Sequence, residues 1–319
     1  MIYLESFSFP SESQETAFLH PKDKTPEEVK NLVKKDFRTR FHYGSVYPFE
    51  ILSPNGMYGA SFDEITIFCG GNGCGKTTAL NVIAEKLGLK RDSLFNSGRF
   101  LQDYLNLCTY KSHLGEDGYW RQVKGKEMGI CVPVDSRIIV SDDVFAHSMK
   151  QRQVNDRIIR NRPEVEHELD VIACGNPRLQ SLADYDRWAA RNDALKNQSA
   201  FIRKKLGEEA QEHSNGETAM LYFLERMENP GLYLLDEPEN SLSLENQKTL
   251  AEYIVNSARF FKCQFIIATH SPIFLSIKGA RIYDMDEDPV ATKNWTEVEN
   301  VRAMYDFFKS HEAEFDKGV

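Results

Sequence analysis

Apolar positions along this chain fall into two rhythms. Four runs are short and nearly continuous: Ile65-Thr-Ile-Phe68, Arg137-Ile-Ile-Val140, Leu232-Tyr-Leu-Leu235 and Phe265-Ile-Ile-Ala268. Runs of this kind predict strands, and the last two, with a helical stretch between them, have the pattern of a parallel sheet covered on both faces. Residues 280 to 283 predict one more strand. Between the runs the spacing turns helical. Leu80, Val82, Ile83 and Leu87 predict a helix ending near Gly88, and further helices are expected over about 244–259 and 297–312. The amino-terminal part reads differently. Residues 2 to 9 alternate and predict a strand, and Thr25-Pro-Glu-Glu opens a short helix to about Phe37. Residues 43 to 62 predict strands broken by turns, with Ser53-Pro-Asn-Gly56 the strongest turn signal. Together with residues 64 to 68 these strands are expected to form a β-rich layer. Residues 92 to 130 carry five glycines and predict loops with a short helix over about 99–108.

From about 144 to 212 the pattern is helical, and Pro163 and the Cys174-Gly-Asn-Pro177 turn are expected to break it into two or three helices. Between 150 and 205 there are twelve Lys or Arg against eight Asp or Glu, a local excess of four positive charges. That reads either as a solvated helix face or as a surface for DNA, RNA or an acidic partner. The whole chain, at 319 residues and net charge −9, is no general polyanion binder. The expected organisation is one domain over 1–319, with the helical insert at about 144–212 and an acidic tail at about 284–319. The six cysteines contain no C-x-x-C pair, which argues against a structural zinc site or a disulfide framework. The start lacks the pattern of a signal peptide, and no run approaches the ~18 apolar residues of a membrane span. A soluble, cytoplasmic protein without a membrane partner is the expectation.

The chemistry sits where the apolar runs end. Gly70-Gly71-Asn72-Gly73-Cys74-Gly75-Lys76-Thr77-Thr78 has the phosphate-loop spacing, between a strand and a helix. Glycines let successive backbone N–H groups face a phosphate, and the helix start adds its positive end. Lys76 is placed to reach the β- and γ-phosphates of ATP, and the Thr77 hydroxyl to bind Mg²⁺. Leu232-Tyr-Leu-Leu-Asp236-Glu237 has the form of a Walker B strand: Asp236 for Mg²⁺, Glu237 as general base toward water. His270 follows the next apolar run and is expected to sense the γ-phosphate. Ser214-Asn-Gly216-Glu217 precedes a helix, where hydroxyl and N–H groups make either an anion site or a plain capping box. Arg38, Arg40, Tyr43, Tyr47 and Phe49 are candidates to stack on adenine, with a core or edge-strand role the alternative for each.

The set Gly70–Thr77, Ser214–Glu217, Leu235-Asp-Glu-Pro-Glu-Asn240 and Thr269-His-Ser-Pro272 resembles an ABC-type ATPase head. The wording is similar to that of soluble AAA-family ATPases related to RecF, SMC and OLD proteins, over about residues 1 to 285. This resemblance implies an α/β P-loop NTPase fold and a Mg-dependent, ATP-gated homodimer. In it Ser214, Gly216 and Glu217 of one copy contact the phosphate held by the other. Residues Asn240 to Ser243 form the loop at the interface, and Glu237 and His270 drive hydrolysis. It also implies regulation of a nucleic-acid process or a protein effector. Small ATPases of this kind occur beside nucleases in antiphage systems. The sequence departs from the family in reading Ser-Asn-Gly-Glu for Ser-Gly-Gly-Gln. No glutamine stands where the Q-loop should be; Asp142 or Asp143 is there instead. The transporter ATPase subunit, the alternative reading, needs that glutamine.

Overall fold

The computed structural model describes residues 1–19, 46–95, 97–112, 120–123, 126–129, 132–174, 198, 202, 205–206 and 215–315. The expected helix at 25–37, the residues Arg38, Arg40, Tyr43 and Ser214, and the turn after Cys174 lie outside them. The chain forms two compact units, Met1–Asp143 with Ala219–Val319, and Val144–Thr218.

In chain order the elements are β1 (Leu4–Ser8), α1 (Glu12–Leu19), β2 (Gly59–Ser61), β3 (Ile65–Cys69), α2 (Lys76–Leu87), α3 (Leu101–Leu107), β4 (Thr109–Ser112), β5 (Trp120–Val123), β6 (Lys126–Gly129), β7 (Arg137–Val140), α4 (Ser141–Cys174), α5 (Asn215–Arg226), β8 (Leu232–Asp236), α6 (Leu244–Phe260), β9 (Gln264–Ala268), α7 (Pro272–Leu275), β10 (Arg281–Asp284), β11 (Ala291–Thr292), α8 (Glu299–Ser310) and α9 (Glu312–Phe315). The first unit is built on a six-stranded sheet in the order β11-β10-β3-β9-β8-β7, parallel except for the β10–β11 hairpin. Its central strands β3, β8 and β9 are buried at every position, as their continuous apolar runs require. Helix α2 buries Ala79, Leu80, Val82 and Ile83, and Gly88 stops it in the left-handed conformation.

The β-rich front layer is a separate antiparallel sheet, β2-β1-β4. Two expectations change here. Residues 65–69 belong to the parallel sheet, because a strand apolar on both faces needs cover on both. The third front strand comes from residues 109–112 and the antiparallel pair β5–β6 from 120–123 and 126–129, stretches read as loops. Two side chains join the sheets: the Tyr283 hydroxyl on β10 accepts from the Ser61 N–H at 2.9 Å and donates to the Ser61 carbonyl at 3.0 Å, and Gln264 bonds to β1. Gln264, fully buried at the start of β9, accepts from the N–H groups of Tyr3 and Leu4 at 2.8 and 2.9 Å. Its amide donates to the Leu4 and Asp63 carbonyls at 2.8 and 3.2 Å.

The described residues of the second unit lie largely in α4, which enters it at Val144 and runs through Pro163 without a break. This corrects the expected break. Proline removes one helical hydrogen bond, and the carbonyl it frees belongs to Ile159, an exposed position where water can take over. Ile158, Val165 and Leu169 form its buried stripe. The basic run lies outside that stripe, and two of its arginines have acidic partners one turn away, Arg160 with Asp156 and Arg162 with Glu166.

Candidate nucleotide site

Strand register builds the site. Phe68 pairs with Ala268, and Ala268 with Asp236, so the carboxyl ends of β3, β9 and β8 are level. The phosphate loop, the acids and the histidine therefore leave the sheet along one edge, where ligands of open α/β sheets sit.

The loop wraps its own lysine. Lys76 is buried, and its ammonium donates to the carbonyls of Gly70 and Gly71 at 2.8 and 2.9 Å. The Cys74 thiol lies 3.8 Å from the same nitrogen, and burial pushes its pKa up despite the lysine. The Gly71 N–H donates to both carboxylate oxygens of Asp286, at 2.8 and 2.6 Å. Gly75 caps α2 at φ 102°, and a Cβ there would come within 2.7 Å of Leu52 Cδ2. Asn72, Gly73 and Thr77 are the exposed members of the loop, Gly71 is half-buried, and Thr78 is buried.

Thr77 Oγ1 donates to Asp236 Oδ1 at 3.1 Å. Asp236 is nearly buried. Burial pushes its pKa up to about 6, against the hydrogen bond from Thr77, with Glu237 adding to the rise and Lys76 opposing it. Two oxygen donors in contact, one a buried carboxylate short of positive charge, suit a hard divalent cation held partly by phosphate. Among the described residues no cluster of three or more His, Cys, Asp or Glu could hold a metal by itself.

Glu237 follows in the left-handed conformation, φ 48° and ψ 53°. That turn aims its carboxylate at two neighbours: His270 Nε2 lies 3.1 Å from Oε1, and the Asn240 amide donates to Oε2 at 2.8 Å. The His270 backbone N–H donates to Glu239 at 2.6 Å. Ser271 caps α7 and donates from its hydroxyl to Gln247 at 2.7 Å, which ties the histidine turn to α6. Of the signature residues, Gly216 and Glu217 lie in the first turn of α5, with Glu217 exposed, and belong to the second unit.

Some neighbours escaped the sequence reading. Arg91 contacts Asn81 at 2.6 Å and Glu85 at 3.5 Å and stacks on Phe95 at 4.0 Å; burial lowers its pKa, while Glu85, Asp143, Tyr47 and Asp236 oppose that shift. Tyr47 hydrogen-bonds Thr78, whereas Phe49 lies in the core against Tyr104, at 5.0 Å between ring centroids, and cannot stack on a base. Of the two acids after β7, Asp142 is exposed and Asp143 is buried, accepting from the Val140 N–H at 3.0 Å. Asp286 lies 215 residues from Gly71 in sequence, so spacing held no signal for it.

Residues 148–276 match the family described as "AAA domain, putative AbiEii toxin, Type IV TA system". The match spans less than half of the chain and includes Asp236, Glu237 and His270. No curated protein matches. Among solved structures, the chain is similar to an SMC head bound to the C-winged helix domain of ScpA, with 15% identity, TM-score 0.39, and 74% of this chain and 92% of that chain covered. It is also similar to the SMC head domain from Thermotoga maritima, with 16% identity, TM-score 0.34 and coverage of 74% and 92%. A nucleotide-free ATP-binding cassette from an ABC transporter gives 15% identity, TM-score 0.33 and coverage of 77% and 87%. At such scores the reading of the site rests on its own geometry and on the family match. Parallel sheet, phosphate loop, paired acids and family match agree on an ATPase of the P-loop class.

Proposed function

We propose that this chain is an ABC-type head that binds ATP with Mg²⁺ and hydrolyses it, closing as a homodimer when ATP is bound. The observation that carries the reading is the contact between Thr77 Oγ1 and Asp236 Oδ1, 3.1 Å, directly beside the Glu237–His270 pair. Lys76 exchanges the Gly70 and Gly71 carbonyls for phosphate oxygens. Thr77 and Asp236 hold Mg²⁺, which supplies charge neutralisation for the leaving phosphates. Glu237 accepts a proton from the attacking water as its oxygen bonds to the γ-phosphorus and the bond to the β-phosphate oxygen breaks. His270 and Asn240 hold the Glu237 carboxylate in place. Ser214, Gly216 and Glu217 of a second copy complete the phosphate shell. Phosphate release by wild type and Glu237→Gln tests this: wild type turns over with Mg-ATP, and the variant binds nucleotide with turnover lowered roughly 10²- to 10⁴-fold. Equal rates dismiss Glu237 as base.

The output of the cycle is a protein effector in the cytoplasm, a nuclease of antiphage defence in the reading we favour. Two observations support a protein partner over nucleic acid. The arginines Arg160 and Arg162 have acidic partners. Helix α8 leaves Tyr305, Phe307 and Phe308 more than half exposed, which is uncommon unless a surface is covered in use. Among the described residues no helix is long and apolar enough to cross a membrane.

A further inference from the structure

The phosphate loop is gripped from outside by a residue that no motif includes. The hairpin after β10 carries Asp286, whose two carboxylate oxygens share the N–H of Gly71 at 2.8 and 2.6 Å. The carbonyl of that same peptide, on Gly70, accepts from Lys76 at 2.8 Å. The Gly70–Gly71 peptide is thus held between an anion on its N–H side and a cation on its carbonyl side. Peptide planes flanked by glycine rotate at little steric cost, so this one needs to be held. The anion is itself anchored. The Met285 N–H donates to the Cys69 carbonyl at 2.8 Å, and the Val290 N–H to the Asn55 carbonyl at 3.0 Å. Lys293 pairs with Asp284 at 3.0 Å and with Glu287. Both sides of the hairpin are therefore fixed to the turn before β2 and to the end of β3, beside the loop they flank.

In the reading proposed above, on which this inference rests, Lys76 leaves the Gly70 and Gly71 carbonyls when a nucleotide arrives. One of the two grips on the peptide then disappears at the moment when the loop must keep its shape. We propose that Asp286 is a positioning residue for the phosphate loop: its carboxylate holds the Gly70–Gly71 peptide in orientation while Lys76 moves to phosphate. It acts through the loop and does not touch substrate. The hydrogen bond it makes is charge-assisted, the stronger kind. Its effect falls on nucleotide binding, because the Glu237–His270 pair lies on the other strands and does not depend on this peptide.

The test uses the full chain and three proteins: wild type, Asp286→Ala and Asp286→Asn. Affinity is measured with a fluorescent ATP analogue in Mg²⁺, kcat and KM by phosphate release, and folding by thermal melting. Loss of a charged hydrogen bond is expected to raise Kd and KM of Asp286→Ala roughly 10-fold, with kcat within about threefold. Asp286→Asn keeps an acceptor oxygen and is expected within about threefold of wild type. Unchanged or tighter binding by Asp286→Ala overturns the assignment, since the carboxylate would then be idle or repelling phosphate. So does an Asp286→Asn that binds as weakly as Asp286→Ala while melting normally, or a loss confined to kcat. A wild-type protein that binds no ATP analogue overturns the nucleotide reading itself. That result is distinct from wild-type binding that the variants leave unchanged.

Discussion

Two glycines of the phosphate loop separate backbone strain from steric clash. Gly75 has φ 102° and Gly73 φ 90°, conformations that alanine adopts only under strain. That strain costs about 1–3 kcal/mol at either position. Their surroundings differ. A Cβ on Gly73 meets nothing within 4 Å, whereas one on Gly75 comes 2.7 Å from Leu52 Cδ2 and 3.3 Å from Ile51 Cγ2. Leu52 is fully buried and has little room to yield. Overpacking of this kind adds about 1–3 kcal/mol. Gly73→Ala should therefore cost about 1–3 kcal/mol and Gly75→Ala about 2–6 kcal/mol. Leu52→Ala alone should cost about 2–5 kcal/mol from its cavity. Combined with Gly75→Ala it should cost less than the sum, by about 1–2 kcal/mol, because the new methyl fills part of the cavity. Urea unfolding followed by circular dichroism reads all four proteins. Equal costs for the two glycine variants, or strict additivity in the double variant, would refute the contact between the loop and the turn before β2.

Other consequences can be measured independently. His270→Ala should lower phosphate release roughly 10²-fold with ATP affinity little changed, since the histidine contacts Glu237 and not the loop; a matching loss of affinity would contradict that. Cys74 should alkylate slowly at neutral pH, because burial raises its pKa, and faster as pH rises; exposed Cys174 serves as the internal reference. Saturating ATP should block Cys74 alone in peptide mapping, and labelling indifferent to ATP would remove the thiol from the nucleotide site. Asp92 carries a pH signature. Burial pushes its carboxyl up, but hydrogen bonds from Tyr222 at 2.8 Å and Arg226 at 2.9 Å, with the Arg226 charge, hold it below its ordinary 3.8. A lowered folded value stabilises the protein above the unfolded value, and that stability is lost as pH falls through the folded one. The melting temperature of wild type should thus approach that of Asp92→Asn as pH drops below about 4, and a constant gap would contradict the pairing.

The parts legible in the sequence were those fixed by local chemistry. Residues 65–88 show strand, loop and helix in one stretch, and the runs ending at Asp236 and before His270 show their burial by unbroken apolar composition. The rest depended on partners far along the chain. Residues 109–112 read as loop because a four-residue front strand with alternating partial burial leaves no run to see. Pro163 looked like a helix end because the rule for proline is local, while its cost depends on whether the freed carbonyl reaches water. Phe49 and Tyr47 were indistinguishable as aromatics, yet one packs against Tyr104 and the other reaches Thr78. The Asp286 grip on Gly71 crosses most of the chain, so only the fold could bring it forward.

The central claim is an ATP-gated dimer. Its most direct test is the molar mass of Glu237→Gln in solution by light scattering, with and without Mg-ATP, with nucleotide binding measured on the same sample. The account predicts a monomer that becomes a dimer when ATP is added, and loss of that shift in Gly216→Trp, where a bulky side chain in the first turn of α5 keeps the second copy from the phosphate. An unchanged mass in Glu237→Gln with ATP bound would contradict the gating, whatever the rate of hydrolysis.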